Sequence, residues 1–171
     1  MFDEAVINYE VYEDNDAFLG ITETAMPDIN FLTQTISGAG IGGNVEAVIT
    51  AMVDAMTISF NFRQPTKRTM QLAEPRSHTL TIRVAQQYED PVAAALGVES
   101  VKHVMRVIPK SFKFGSLKPA SPADGSTEHS VRYWAAFSEG KKLIEIDPLN
   151  YKCMINGVDY ARPVRKALGR A

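Results

Sequence analysis

Gly38, Gly40 and Gly43, in the stretch SGAGIGGN at 37–44, spell the G-x-G-x-x-G pattern that can cradle a dinucleotide pyrophosphate. That chemistry needs a buried parallel strand before the glycines, a helix opening after them, and an acid about 20 residues on for the ribose. Two of the three are missing. Asn30, Thr33, Gln34 and Thr35 make 29–36 too polar for a strand covered on both faces. Phe62-Arg63-Gln64 stands where the acid belongs. The glycines then serve backbone geometry, reaching positive φ in a loop with four glycines in six residues. Such a loop is costly to order alone, so Gly38, Gly40, Gly42 and Gly43 are expected to order against another subunit.

Glu145 and Asp147 alternate on one strand and so share a face, with Glu128 and Glu139 expected nearby in the pairing. A carboxylate pair can do acid–base work, but no pocket or titrating partner is legible, and the pair reads as a solvated strand face. Ser37, Ser126 and Thr127 have no matching His/Asp arrangement, and there is no G-x-S-x-G elbow. His78, His103 and His129 lie roughly 25 residues apart without ligand-spaced partners, and read as isolated surface or half-buried side chains. Cys153 is the only cysteine, which excludes an internal disulfide and a cysteine metal cluster. No cofactor or metal is expected.

The elements that would carry these residues fit one domain, 1–171, of ordinary globular composition: 45% hydrophobic and 22% charged. The net charge of −2 argues against tight nucleic-acid binding, which needs clustered cations; only Arg162–Arg170 is locally basic. The acidic N-terminus MFDEAVINYEVYEDND lacks a signal-peptide pattern, and no apolar run approaches the ~20 residues of a membrane helix. Folding in a cytoplasm is the expectation.

Strand chemistry dominates. Runs are expected at 6–12, at 17–26 closing on Pro27-Asp28, and at 29–36, and the segment 77–88 (SHTLTIRVAQQY) alternates cleanly. Val98–Ile108 reads as a strand stopped by Pro109, followed by a long flexible loop at 110–127. A hairpin follows, Glu128–Ser138 and Lys141–Asp147, joined at Glu139-Gly140; Asn156-Gly157 marks another turn. A short helix is expected at 65–73 with Pro65 in its first turn, and a basic helical end at 160–168 with Gly169 as its C-cap. In NVEAVITAMVDAM (44–56), Val45, Val48, Ile49, Met52 and Met56 fall at helical spacing, although the segment also alternates less cleanly as a strand.

The segment KKLIEIDPLNYKCMINGVDYARPVRKALG (141–169) resembles the C-terminal signature of the major tail tube proteins of contractile-tailed bacteriophages, shared by R-type bacteriocin tubes. Glu145-Ile146-Asp147, Asn150, Asn156-Gly157-Val158-Asp159 and Leu168-Gly169 carry the likeness. Upstream, Met26-Pro27 and Gly38-Ala39-Gly40-Ile41 are similar to the family's L-P…G-A-G-M element. EDPVAAALG (89–97) departs from it, looking like an insertion in a shorter hairpin, and so does the opening Met1–Asp16. The resemblance implies a mainly β fold, a β-barrel or tightly packed β-sandwich with a short flanking α-helix and long inter-subunit loops. It replaces the helical reading of 44–56 by strands, Asn44–Thr50 and Met56–Phe62.

The resemblance further implies a structural, non-enzymatic protein. Six copies would form a ring whose inner sheets join into one barrel, and rings would stack into the hollow tube of a contractile tail. Its partners would be itself, the sheath, a tape-measure protein, and baseplate and tube-terminator proteins. DNA would pass without specific binding through an acidic or neutral lumen, with Glu145 and Asp147 as lumen or interface candidates. The C-terminal arm, 160–171, with Arg162, Arg165 and Lys166, would make outward or inter-ring contacts. The particle would be a virion tail or tail-like particle assembled in the bacterial cytoplasm. An effector-delivering tube of a contractile secretion system is the alternative, and a nucleotide-binding enzyme a more distant one.

Overall fold

The computed structural model describes residues 1–170. Two long strands form its spine: β7 (His78–Asp90) and β8 (Ala95–Lys113), paired antiparallel from His78↔Val107 to Asp90↔Ala95. Residues 89–97 form the end of this hairpin, with its turn at 91–94. On one side lies β1 (Phe2–Glu13), whose end also pairs with the two-residue β2 (Asp16–Ala17). On the other side follow β9 (Gly125–Ser138), β10 (Lys141–Asp147), β11 (Lys152–Ile155) and β12 (Val158–Asp159).

The first half of β9 also takes β6 (Met56–Phe62), and β6 takes β3 (Ile21–Ala25), completing a ten-stranded sheet. The remaining strands, β4 (Phe31–Ile36) and β5 (Val45–Val53), pair only with each other. The expected mainly β fold is present. The sheets do not close into a barrel within one chain.

Burial follows the alternation. Leu80 and Ile82 of β7, Met105 and Val107 of β8, Ile58 and Phe60 of β6, and Ile146 of β10 point to one core. Helix α1 (Lys67–Gln71) closes it by delivering Leu72. Its N-cap is Thr66, whose hydroxyl accepts from the Thr69 N–H while its own N–H donates to Thr69 Oγ1. Pro65 thus precedes the cap and is not in the first turn.

Several expectations are corrected. The strand at 98–108 does not stop at Pro109 but runs to Lys113, because β7 ends at His78, opposite Val107. Beyond that point one side of β8 is unpaired, and a residue without an N–H is tolerated on such an edge, here beside a register shift at Pro109/Ser111. The 110–127 loop shrinks to 114–124. It is tied down by Ser116 N–H to Ala123 O (2.8 Å) and by the N–H groups of Ala123 and Asp124 to Arg63 O (3.0 and 3.1 Å). The run 17–26 divides at Gly20 into β2 and β3. The strand assignments that replaced the helical reading hold at β5 and β6. The turns at Glu139-Gly140 and Asn156-Gly157 hold too, each with both residues at positive φ.

Candidate functional site

The glycines sit at the tip of the β4–β5 hairpin, between two antiparallel strands and with no helix after them. The Ile41 N–H donates to Gly38 O (3.2 Å), closing a four-residue turn with Gly40 third at φ +86°. That is the turn that requires glycine in this place. Every residue of β4 is exposed, and Phe31, Leu32, Ile36, Val45 and Val48 present apolar side chains to solvent. Near its base β5 bulges: Thr33 pairs Val48 but Phe31 pairs Val53, with Ala51 in the left-handed region at φ +56°. The bulge breaks strict alternation, which explains the helix-like spacing of the sequence. Between hairpin and body runs a cleft of about 390 Å³ lined by Phe31, Val48, Ala51, Cys153, Ile155 and Tyr160.

Glu145 and Asp147 share a face, as expected, but it is not a solvated one: they are 6% and 5% exposed. The long side chains around them cover that face. Lys142 Nζ (2.9 Å) and Lys152 Nζ (3.3 Å) reach one Glu145 oxygen, and the Tyr133 hydroxyl donates to the other at 3.0 Å. Burial alone would raise the Glu145 carboxyl, but the bonds from Lys142, Tyr133 and Lys152 outweigh it and hold it below the usual range. Asp147 accepts from Asn150 Nδ2 (2.6 Å), with Arg106 3.7 Å away. Arg106 in turn lies over the Tyr133 ring, 4.9 Å from its centroid. The cluster cross-ties β8 to β11. Glu128 and Glu139 are not part of it: Glu128 pairs with Ser59 of β6, and Glu139 caps the Ser100 N–H (2.7 Å).

The basic arm is the helix α2 (Arg162–Ala167), ended by Gly169 at φ +69°. Arg165 is spent inside the chain, donating to Asp159 Oδ2 and Tyr151 O at 2.7 Å each. Arg162 and Lys166 are exposed and make no ion pair among the described residues.

The family model of the phage tail tube protein FII matches residues 3–169. This chain belongs to that family. No curated protein sequence matches it. Among solved structures, the chain is similar to a chain of an extracellular contractile injection system, the PVC sheath/tube terminator in its extended state. The two share 11% identity at a TM-score of 0.54, over 80% of this chain and 98% of the other. It is also similar to a chain of the anti-feeding prophage baseplate (six-fold symmetrised), with 8% identity and a TM-score of 0.50 over 75% and 90%. At those identities the likeness shows a shared fold.

The chain also holds a polar cluster that sequence spacing did not reveal. His78 and His129 are fully buried, not isolated, with ring centroids 6.3 Å apart. His78 Nδ1 lies 2.7 Å from Glu13 Oε1, which also receives Arg76 Nη1 at 2.9 Å, and His78 Nε2 lies 2.9 Å from Glu74 O. His129 Nε2 reaches Leu72 O at 2.9 Å, and burial pushes its pKa down. His103 is half-buried and takes the Trp134 indole N–H at 3.2 Å. No three His, Cys, Asp or Glu side chains among the described residues could hold a metal.

Proposed function

We propose that this tail tube protein forms hexameric rings that stack into the hollow inner tube of a contractile tail. The tube would serve DNA ejection in a phage or membrane puncture in a bacteriocin. On this reading the chain is structural and not an enzyme. It works with a sheath, a tape-measure protein, and baseplate and terminator proteins, in a virion tail or tail-like particle put together in the bacterial cytoplasm.

The observation that carries the reading is the β4–β5 hairpin, which offers apolar side chains to solvent and, among the described residues, pairs with no other strand. A two-stranded hairpin is marginal on its own, so a neighbouring copy is the natural source of its missing contacts. The family membership and the likeness to tube-terminator and baseplate chains support the same reading.

Negative-stain microscopy of concentrated purified protein should show rings or tubes of six-fold symmetry. A stable monomer that binds NAD or ATP overturns it. The likeness to a chain of an extracellular injection system favours one further reading, a tube that carries protein cargo. Mass spectrometry of tubes isolated from their source separates the two: protein held inside the tube argues delivery, and an empty tube argues a DNA or puncture conduit.

A further inference from the structure

The ends of the ten-stranded sheet carry opposite, unpaired charge. At one end, the tips of β1, β7 and β8 hold Asp3, Glu4, Glu89, Asp90 and Glu99, and residues 84–101 contain no Lys or Arg. Asp3, Glu4 and Glu99 line a cleft of about 290 Å³, and none of the three makes an ion pair among the described residues. Gln87 and Ser138, both neutral, are the donors to Glu4 and Glu99. Phe2, Val6, Leu96 and Val98 are exposed around the same tip. At the other end, beyond β12, residues 160–170 hold four cations and no carboxylate. There Arg162 and Lys166 make no ion pair among the described residues, with Val158, Tyr160 and Leu168 exposed beside them.

We infer that α2 of one copy docks across the acidic tip of β1, β7 and β8 of the next. This rests on the tube reading above and names one of its contacts. Three observations select the occupant. The charges are complementary: among the described residues neither Arg162 and Lys166 nor Asp3, Glu4 and Glu99 make an ion pair, so docking two copies gives each set an opposite charge. The outer edge of β1 is open from Phe2 to Glu10, yet register shifts at Asp3/Ala5 and Val6/Asn8 interrupt it. An added strand would not find a regular ladder there, whereas side chains from a helix need none. The two surfaces also belong to different parts of the sheet order: the arm follows β12, at one end, and the acidic tip is carried by β8, β7 and β1. The contact is therefore head-to-tail, and each docked copy still offers one free surface to the next.

The test uses two full-length variants. One reverses the arm (Arg162→Glu with Lys166→Glu), and the other reverses the tip (Asp3→Lys with Glu4→Lys). All four positions are exposed, and circular dichroism checks that each variant is folded. Each variant alone should raise the concentration needed for assembly about tenfold or more, since like charges now face each other. An equimolar mixture should assemble again: the acidic arm meets the basic tip, and the wild-type arm meets the wild-type tip, in alternation. For unmodified protein, the same threshold should rise as NaCl goes from about 0.05 to 0.5 M.

Either variant assembling alone as wild type does, or a mixture that fails while wild type forms tubes, overturns the docking and leaves the tube reading standing. Unmodified protein that never assembles removes both. If a reversed variant misfolds, the salt dependence and the milder Arg162→Gln with Lys166→Gln decide: a threshold unmoved by both overturns the inference.

Discussion

Replacing Gly38 and Gly40 together by Val separates the fold of the subunit from its assembly. Gly40 sits at φ +86° and Gly38 at φ +156°, where a β-branched residue is strained whatever the space around it. Each such residue costs about 1–3 kcal/mol, so the pair costs about 2–6 kcal/mol. A whole domain is stable by only about 5–15 kcal/mol, so where this cost falls decides the outcome. The strain lies at the tip of a hairpin whose β4 is wholly exposed and which pairs with no other strand. The hairpin should therefore lose its turn while Ile58, Phe60, Leu80 and their neighbours keep the core. Circular dichroism and the urea midpoint should show a folded β-rich subunit, and microscopy and pelleting should show no tubes. Gly42 and Gly43 provide the control, since neither has positive φ and a Cβ on either meets nothing within 4 Å. Gly42→Val with Gly43→Val should still assemble. Normal tubes from the Gly38/Gly40 variant would refute the reasoning.

Three other outcomes test the interior. Phe60→Ala removes a fully buried ring that meets His129 edge-on at 5.7 Å; it should cost about 3–5 kcal/mol and lower Tm by about 10 °C, read by calorimetry. Arg165→Ala breaks two charge-assisted bonds at 2.7 Å and should cost about 2 kcal/mol locally, read as faster hydrogen exchange in α2 with the core unchanged. Burial, reinforced by the nearby His78, holds His129 below the usual imidazole value. The unfolded chain therefore takes up a proton while the folded chain does not, and stability present above the unfolded value near 6.5 is lost as pH falls below it. Urea midpoints should drop between about pH 7.5 and 5.5, and His129→Gln should flatten that slope.

What the sequence disclosed depended on whether a local rule decided the outcome. Glu139-Gly140 and Asn156-Gly157 were legible because two consecutive positive-φ residues suit few turns other than a tight hairpin. The alternation in β7 was legible because one face is buried. β5 was ambiguous because no core imposes a period on it and the bulge at Ala51 shifts its phase. Pro109 misled because its tolerance depends on β7 ending opposite Val107, a fact of pairing and not of composition. Glu145 looked solvated because Lys142, Lys152 and Tyr133 cover it only once β9, β10 and β11 are assembled. Residues 13, 76, 78 and 129 carry no spacing that would announce their cluster. The helical arm was legible, but the pairing of Arg165 with Asp159 was not, since it forms only once α2 packs back on the turn after β12.

The distribution of edge protection argues for one strand as the pairing edge between copies. Open strands invite association, and proteins blunt them with charge, proline and bulges. β1 is interrupted by two register shifts; β3 carries Glu23 and a shift of its own; the open side of β8 carries Pro109 and Lys110; and β12 has two residues. β4, with the sequence FLTQTI, has neither charge nor proline, and its outer side is unpaired. Leu32→Lys with Gln34→Lys should therefore stop assembly. Both positions are exposed, so the urea midpoint of the subunit should move by no more than about 0.5 kcal/mol in equivalent stability. The same two lysines placed at Thr22 and Thr24 of β3, an edge already blunted by Glu23, should cost assembly little. Tubes from the β4 variant, or an equal loss from the β3 variant, would show that β4 is not the edge that copies share.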